Sequence, residues 1–377
     1  MNPPRAREVT ASPPPASRRT GILILVASTL LALVLAEGSL HLLGLPEEHR
    51  SHTHPPQFDP IPGAEFLYTN LPGSEIRFVY DSNPRGYFSP GNSVIHRTNP
   101  KGFRGPDFSV AKPPGTIRFL FLGDSFTFGE GVQDADTYPE RFRALLEKSD
   151  AYRGRRIEAI NLGVGGYDTE QEAALLRDFG LSLAPDRIFV GYCLNDAEPP
   201  LFERGADGKL VRRDREAEAP ENLGTAPIPL PFRWLRLTRL AYLAYRNQRI
   251  TAATIAHYRN LYRDDGAEYR RTKHALAEIA RLGREARVPV TVLIFPIFYH
   301  LDGGYPFRDL TRRIEAEAGR NQMDAIDLLP LFRGFSGPDL WVHPADQHPN
   351  ETAHRMVAER LVDYLASEGI TPGKLPR

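Results

Sequence analysis

The feature that most constrains the fold is the alternation of short apolar runs with longer amphipathic stretches from Thr116 to the carboxyl terminus. The runs fit buried strands, and the stretches fit helices. We predict strands over 117–122, 157–162, 187–193, 288–295 and 324–328. We predict helices after a capping box of Thr137 and Glu140 and over 170–179, 268–286, 310–318 and 351–367. Such alternation forms a parallel sheet covered on both faces, with its ligand site at the carboxyl ends of the strands.

Residues 197–260 interrupt this alternation. A charged, proline-rich stretch is followed by an aromatic and basic one between Trp234 and Tyr245. We predict an insertion that either covers the site as a cap or lies on the surface. Residues 46–112 are predicted to form a spacer and then irregular β structure, because their first part is rich in proline and their second mixes short aromatic runs with Asn, Gly and Pro.

The amino-terminal residues have the pattern of a membrane anchor. Four arginines precede a stretch from Gly21 to Ala36 that has no charged residue, and apolar character continues to Leu43. About 20 apolar residues span the hydrocarbon core of a bilayer. We predict a basic, disordered cytoplasmic tail over 1–20, one transmembrane helix over 21–45 and, from the positive-inside bias, an extracytoplasmic location for all that follows. The alternatives are a cleaved signal peptide, which would release a secreted protein, and a buried core helix.

Composition argues against several classes of function. Lys plus Arg equals Asp plus Glu, so the formal net charge is +0 and no basic field attracts nucleic acid. The single cysteine, Cys193, allows neither an intrachain disulfide nor a cysteine-based zinc site. His49, His52 and His54 have no carboxylate or thiol framework around them in the sequence, so we interpret them as spacer residues and predict no metal site.

Four polar turns carry the candidate chemistry. Three follow predicted strands, at 123–126, 161–166 and 191–196, and the fourth, at 346–350, immediately precedes the last helix. Parallel-strand geometry brings all four to one rim of the sheet. Ser125 becomes a nucleophile when a base such as His348 removes its proton, and Asp346 can orient the imidazolium that forms.

Acyl transfer also needs hydrogen-bond donors for the oxyanion. Backbone N–H groups of Ser125 and of the glycine turn, together with the side-chain amide of Asn195, can supply them. The loss of one such donor typically costs about 2.7 to 4 kcal/mol in the activation barrier. The four turns therefore predict a site for acyl transfer.

In this order, the four motifs resemble those of the SGNH hydrolase superfamily, often called GDSL esterases, from about residue 117 to the carboxyl terminus. By that resemblance Ser125 matches the nucleophile and His348 the base. Asn195 matches the oxyanion asparagine, and Gly166 matches the oxyanion glycine. The resemblance implies a flavodoxin-like three-layer α/β/α sandwich with a parallel sheet over 113–370, and neither a metal nor an organic cofactor.

The acid departs from the commonest family pattern, which places two residues between acid and histidine. Here only Gln347 separates Asp346 from His348, and Ala345 occupies the usual position of the acid. Side chains two residues apart still lie on the same side of an extended backbone. Asp346 is therefore the predicted acid, and Asp339 is a weaker candidate.

Other conspicuous residues have ordinary explanations. Asp124 is predicted to stabilise the turn, Asn350 to cap the last helix and Cys193 to pack inside a strand. His354 falls within a predicted helix and His343 has no acid partner at the same spacing, so neither is the predicted base.

We therefore predict a serine ester hydrolase of the esterase, lipase or carbohydrate deacylase kind, which acts through an acyl-enzyme on Ser125. The expected partners are the membrane and an ester-containing small molecule, a lipid or an acylated glycan, with no nucleic acid. One alternative is an O-acyltransferase of an envelope polysaccharide, because related envelope acyl-transfer enzymes share the shorter spacing of acid and histidine. Another is a catalytically silent binding or assembly protein, because a fold can be retained without turnover.

Overall fold

The computed structural model describes residues 18–47, 49–53, 58–61, 64, 68–207, 209–213, 228–301, 303–371 and 373. The chain forms two compact units, one of residues 1–48 and 223–250 and the other of residues 49–222 and 251–377. The predicted tail over 1–20 lies outside the described residues as far as residue 17, and so does His54 of the predicted spacer.

Helices and strands are numbered here in chain order. The described helices are α1 (Arg18–Leu42), α2 (Ser125–Phe128), α3 (Tyr138–Lys148), α4 (Thr169–Asp178), α5 (Arg236–Leu261), α6 (Ala267–Ala286), α7 (Arg308–Arg320), α8 (Gly337–Leu340) and α9 (Glu351–Ser367). The described strands are β1 (Ser51–Thr53), β2 (Phe58–Pro60), β3 (Tyr68–Asn70), β4 (Glu75–Tyr80), β5 (Ser93–Arg97), β6 (Thr116–Gly123), β7 (Arg156–Asn161), β8 (Arg187–Tyr192), β9 (Phe202–Arg204), β10 (Leu210–Arg212), β11 (Val290–Ile294), β12 (Asp324–Asp327), β13 (Trp341–His343) and β14 (Asp346–Pro349).

The first unit contains helix α1, which begins three residues before the predicted transmembrane helix over 21–45 and ends at Leu42, three residues before its predicted end. None of its 25 residues is buried. At 1.5 Å per residue the helix is about 37 Å long, and it is long and apolar enough to cross a membrane. The other described part of this unit is residues 228–250, which include the start of helix α5.

The second unit contains a five-stranded parallel sheet with the strand order β12-β11-β8-β6-β7. Strand β6 is buried along its whole length, which is why it forms an unbroken apolar run in the sequence. The chain forms β7 on one side of β6 and then returns to form β8 on the other. Right-handed crossovers place α3 and α4 on opposite faces of the sheet. Helix α3 packs with α9, and α4 packs with α6. This architecture confirms the predicted three-layer fold.

The register of the central strands positions the turns that follow them. Phe121 of β6 pairs with Asn161 of β7, and Gly123 of β6 pairs with Gly191 of β8. The turns after β6, β7 and β8 therefore leave the sheet side by side at one edge.

Part of the predicted lead-in contributes to the core of the second unit. Strand β4 pairs with both β1 and β5, and Tyr80 at its end packs in a small apolar cluster with Phe128 and Val342. Tyr68 and Phe103 belong to the main core. The short aromatic runs indicate β structure, but they do not reveal that it packs against the turn that carries Ser125.

The predicted insertion at 197–260 contains the antiparallel hairpin of β9 and β10 and almost all of helix α5. The sequence interpretation missed this 26-residue helix. In the sequence, arginines interrupt its aromatic and aliphatic residues, so its composition is more conspicuous than its helical periodicity. Residues 214–227 of the insertion lie outside the described residues.

The two predicted helix caps have different outcomes. The capping box before α3 is wrong, because the Thr137 hydroxyl donates to the carbonyl oxygen of Asp134 (3.2 Å) and Glu140 forms an ion pair with Arg143. The cap of α9 is confirmed, because the side-chain oxygen of Asn350 accepts from the first backbone N–H groups of that helix.

Candidate active site

Ser125 lies at the first position of the short helix α2, immediately after strand β6. The preceding residue, Asp124, caps this helix, and its Oδ1 accepts the backbone N–H of Phe126 at 2.8 Å. Gly123 has a φ of +151°, and a Cβ at this position would overlap the side chain of Thr127. Only glycine allows this close approach between the end of β6 and α2. The turn thereby presents the Ser125 hydroxyl at the edge of the sheet.

The structure brings together the three residues predicted as nucleophile, base and acid. His348 Nε2 lies 2.9 Å from Ser125 Oγ, and His348 Nδ1 lies 2.7 Å from Asp346 Oδ1. Asp346 and His348 belong to strand β14, where residues two apart face the same side. The weaker acid candidate, Asp339, instead accepts from Ser336 at the start of helix α8.

Tyr80, which the sequence analysis did not predict, forms a hydrogen bond to the acid, Asp346. Tyr80 is buried, and its hydroxyl donates to Asp346 Oδ2 at 2.7 Å. Burial alone would raise the pKa of Asp346, but the charge and hydrogen bonds of His348 and the bond from Tyr80 outweigh it, so the pKa is lowered. Asp346 is thus held as a carboxylate. The sequence carries no signal for this contact, since Tyr80 comes from strand β4, far from β14 along the chain.

A second carboxylate faces His348. Glu130 Oε2 lies 3.6 Å from His348 Nε2. Burial alone would lower the pKa of His348, but the negative charges of Glu130 and Asp346 raise it to about 10. Burial raises the pKa of Glu130 itself. This field favours the imidazolium, which is the state that forms when His348 takes a proton from Ser125. The sequence analysis did not predict Glu130. The one feature of the sequence that could have indicated it is its position between two glycines, five residues after Ser125.

The predicted oxyanion residues lie at the ends of the neighbouring strands. Asn195 Nδ2 donates to Asp124 Oδ2 at 2.8 Å, which places the amide beside the residue that precedes Ser125. Asn161 Nδ2 donates to the carbonyl oxygen of Thr127 at 2.8 Å, so the glycine turn is tied to helix α2. Gly166, at the end of that turn, has a φ of +79°, a conformation that favours glycine.

A buried arginine braces the segment that carries Glu130. The Arg104 guanidinium donates to the carbonyl oxygens of Phe128 (2.9 Å) and Val132 (2.5 Å) and to Asp134 Oδ1 (3.0 Å). These carbonyls flank Glu130 along the chain. Arg104 therefore holds in place the backbone around Glu130, whose carboxylate lies beside His348.

His343 and His354, which are not the predicted base, lie outside the Ser125–His348–Asp346 set. His354, in helix α9, accepts the backbone N–H of Tyr138 at 3.1 Å. His343 lies with His49 and Asp81 in a group whose donor atoms are all within 4.8 Å of one another, as a metal site would require. However, His343 Nδ1 accepts a backbone N–H at 3.1 Å, so the proton stays on Nε2, the nitrogen that faces Asp81. In this structure the group is therefore a hydrogen-bonded set.

Hydrogen bonds link the serine to the histidine and the histidine to a buried carboxylate. This arrangement, at the carboxyl edge of a parallel α/β sheet, has the geometry of a serine hydrolase site. The model of the GDSL-like lipase/acylhydrolase family matches residues 121–356, which is more than half of the chain and includes Ser125 and His348. The chain belongs to this family and is an ester-bond hydrolase.

Comparison with solved structures gives matches at low sequence identity. One is a single-site mutant of Axe2, an acetyl-xylooligosaccharide esterase from Geobacillus stearothermophilus (15% identity, TM-score 0.39, 66% of this chain and 93% of that chain). Another is LAE5, an alpha/beta hydrolase from the metagenome of Lake Arreo, Spain (17%, 0.39, 69% and 97%). A third is the lipase Lip_vut3 from a goat rumen metagenome (16%, 0.37, 66% and 96%). Comparison with curated protein sequences gives no match.

Proposed function

We propose that the protein hydrolyses esters through an acyl-enzyme on Ser125. His348 Nε2 takes the hydroxyl proton as Ser125 Oγ attacks the ester carbonyl carbon, and returns it to the departing alcohol when the tetrahedral intermediate collapses. A water molecule then attacks the acyl-enzyme, with His348 again as base, and releases the acid. The observation that carries this proposal is the hydrogen-bonded sequence from Ser125 Oγ to His348 Nε2 (2.9 Å) and from His348 Nδ1 to Asp346 (2.7 Å).

We assign the oxyanion to three donors, the backbone N–H groups of Ser125 and Gly166 and the side-chain amide of Asn195. Two contacts support this assignment. Asn195 is held beside Asp124 (2.8 Å), and the turn that ends in Gly166 is tied to helix α2 by Asn161. The three donors come from the turns after β6, β7 and β8, which leave the sheet side by side.

We further propose that α1 is a single-pass anchor in the cytoplasmic membrane, with the hydrolase domain outside the cytoplasm. The absence of buried residues along α1 and the arginines that precede it support this topology. Cleavage after the apolar run would instead release the domain. The proposed division is a tail over 1–20, an anchor over 21–45, a spacer and lead-in over 46–112, and a hydrolase domain over 113–370 with its insertion at 197–260. The substrate would be an ester-containing small molecule, a lipid or an acylated glycan.

The mechanism is tested by labelling the full chain in detergent with a serine-directed fluorophosphonate and by measuring hydrolysis of a p-nitrophenyl ester. Ser125→Ala should abolish labelling and lower kcat by about 10³-fold or more. Asp346→Asn should lower kcat strongly, whereas the matched control Asp339→Asn should not. Undiminished labelling of folded Ser125→Ala, or equal effects of the two aspartate substitutions, would contradict the assignment.

The acyltransferase alternative uses the same residues and differs in the fate of the acyl group. The short spacing of Asp346 and His348 favours it by resemblance, and β14 keeps the carboxylate 2.7 Å from the ring despite that spacing. Incubation of an acyl donor with and without a polysaccharide acceptor separates the two activities. Free acid as the main product in both samples supports hydrolysis, and acceptor-dependent transfer of the acyl group supports the transferase.

A further inference from the structure

Residues 230–250, called here the basic aromatic segment, play no part in the proposed chemistry but have an unusual composition. The segment contains five arginines and no acidic residue. It also contains one of the two tryptophans of the chain, Trp234. Positive charge next to exposed aromatic and aliphatic side chains is typical of surfaces that contact a membrane.

The apolar side chains of this segment are exposed. Trp234 is 81% exposed, Leu230 65% and Leu235 52%. On helix α5, the exposed residues include Leu240, Ala241, Ala244 and Tyr245. Positions four apart lie above one another on a helix, so these four form one apolar stripe. A soluble protein rarely leaves such a surface in contact with water.

The basic aromatic segment is bound to helix α1 within the first unit. Both carboxylate oxygens of Glu37 accept backbone N–H groups at the start of α5, from Arg236 (2.7 Å) and Leu237 (2.9 Å). The Arg236 guanidinium also donates to the carbonyl oxygen of Leu45 (2.9 Å). Glu37 thus satisfies N–H groups that a helix start leaves without intrahelical partners.

The position of Glu37 determines the depth at which the basic aromatic segment lies in a bilayer. The uncharged run from Gly21 to Ala36 is about 24 Å long in a helix, and Glu37 is the first charged residue beyond it. When the run is centred in the hydrocarbon core, which is about 30 Å thick, Glu37 lies within about 3 Å of the boundary between acyl chains and headgroups, and the last residues of the anchor extend into the headgroup region. The backbone that binds Glu37 then lies at that boundary too, where tryptophan, tyrosine and arginine side chains are most favourable.

We propose that the basic aromatic segment lies in the membrane interface at the extracytoplasmic end of α1. Trp234 and the apolar stripe of α5 would contact the upper part of the acyl chains, and the arginines would bind anionic phospholipid headgroups. The occupant of this surface is a lipid bilayer that contains anionic lipid, and its charge complements the five arginines. The inference rests on the proposed membrane anchorage and is independent of the ester chemistry of Ser125.

The test uses the full chain reconstituted in vesicles, with Trp341→Phe so that Trp234 is the sole tryptophan. The vesicles contain phosphatidylcholine, with or without phosphatidylglycerol, and carry bromine either near the headgroup or near the end of the acyl chain. Bromine near the headgroup should quench the emission of Trp234 by about twofold or more, and deep bromine should quench it less. Trp234→Phe leaves Trp341, whose indole donates to the carbonyl oxygen of Phe298 (2.9 Å), and gives the background emission that is subtracted.

A second arm tests the arginines. Phosphatidylglycerol should increase the quenching of Trp234 by headgroup bromine, because the arginines bind anionic headgroups. Arg233→Gln combined with Arg249→Gln should reduce this increase by about half or more. The matched pair Arg281→Gln and Arg355→Gln, on other helices, should leave it unchanged.

Three outcomes would overturn the proposal: Trp234 emission at the wavelength of water-exposed tryptophan without quenching, emission shifted to shorter wavelength without quenching, or failure of the chain to float with the vesicles. The second outcome would indicate that protein covers the segment. Ester hydrolysis measured on the unsubstituted chain in the same vesicles separates failure of this proposal from failure of the proposed function.

Discussion

Replacement of Glu130 with glutamine tests how the site sets the basicity of His348. Glu130 Oε2 and His348 Nε2 are 3.6 Å apart, and both side chains are only about one quarter exposed. Two unit charges at this distance attract by about 4.6 kcal/mol at an effective dielectric constant of about 20, and by about 1.2 kcal/mol at the value of water, about 80. Because 1.36 kcal/mol corresponds to about one pKa unit, Glu130→Gln should lower the pKa of His348 by about 1 to 3 from its value of about 10.

The sign of the effect on activity follows from the role of His348. The ring must be neutral to accept the Ser125 proton, so kcat/KM rises with pH until the pH exceeds the pKa of His348. Glu130→Gln should therefore move the acid limb of the kcat/KM profile to lower pH by about 1 to 3 units. Up to about pH 10 the kcat/KM of the unsubstituted chain should still rise with pH, whereas that of Glu130→Gln should level off.

The assay is hydrolysis of a p-nitrophenyl ester from about pH 5 to about pH 10, corrected for background hydrolysis at each pH. Glu140→Gln is the matched control, because Glu140 pairs with Arg143 on helix α3, and its limb should stay in place. A limb that does not move in Glu130→Gln, or that moves to higher pH, would refute the reasoning.

Three further substitutions test the surroundings of the site and the stability of the fold. Tyr80→Phe removes the hydrogen bond to Asp346 and should destabilise the protein by about 1 to 3 kcal/mol, measured by urea unfolding, with a lower kcat. Arg104→Lys replaces a buried guanidinium that donates to several carbonyls and should cost about 2 to 4 kcal/mol by the same measurement, whereas Arg97→Lys, on an exposed side chain, should change stability by no more than about 0.5 kcal/mol. Burial lowers the pKa of His354 to about 3 in the folded state, below its usual value of about 6.5, so stability is complete above about pH 6.5 and is lost as the pH falls toward 3. His354→Gln should reduce that slope by up to about 1.36 kcal/mol per pH unit.

Each of these three predictions would be contradicted by a specific result. Unchanged unfolding and kcat in Tyr80→Phe would mean that the hydrogen bond to Asp346 contributes nothing. Equal effects of the two arginine substitutions would mean that burial of Arg104 does not matter. An unchanged acid slope in His354→Gln would show that folding does not lower the pKa of this histidine.

Local patterns account for what the sequence predicted correctly. The buried β6 appears as an unbroken apolar run, and Asn350 caps a helix whose predicted bounds match those observed. Ser125 was predictable as a site residue because parallel strands bring the turns at their carboxyl ends to one edge, whereas Asp346 and His348 lie on β14, which pairs antiparallel with β13, and were linked to Ser125 by the order of the motifs. Ser125 and His348 could thus be paired without knowledge of any contact between them.

The features that the sequence did not reveal depend on contacts between distant segments or on competing local bonds. Tyr80 reaches Asp346 only because β4 packs near β14, a pairing that neither segment encodes by itself. The hydroxyl of Thr137 was assigned to the helix that it precedes, but it donates backwards to Asp134 instead. The start of helix α5 is bound by Glu37, which lies 199 residues before Arg236 in the chain, so this contact has no local signal in the sequence.

The central claim is that Ser125 carries the acyl group and that His348 activates it. Peptide mapping by mass spectrometry, after rapid acid quenching of the full chain during turnover of a p-nitrophenyl ester, tests this claim most directly. An acyl adduct on the peptide that contains Ser125, absent from Ser125→Ala and formed far more slowly in His348→Ala, is the predicted result. An adduct on another residue, or acylation of Ser125 at an undiminished rate in His348→Ala, would contradict it.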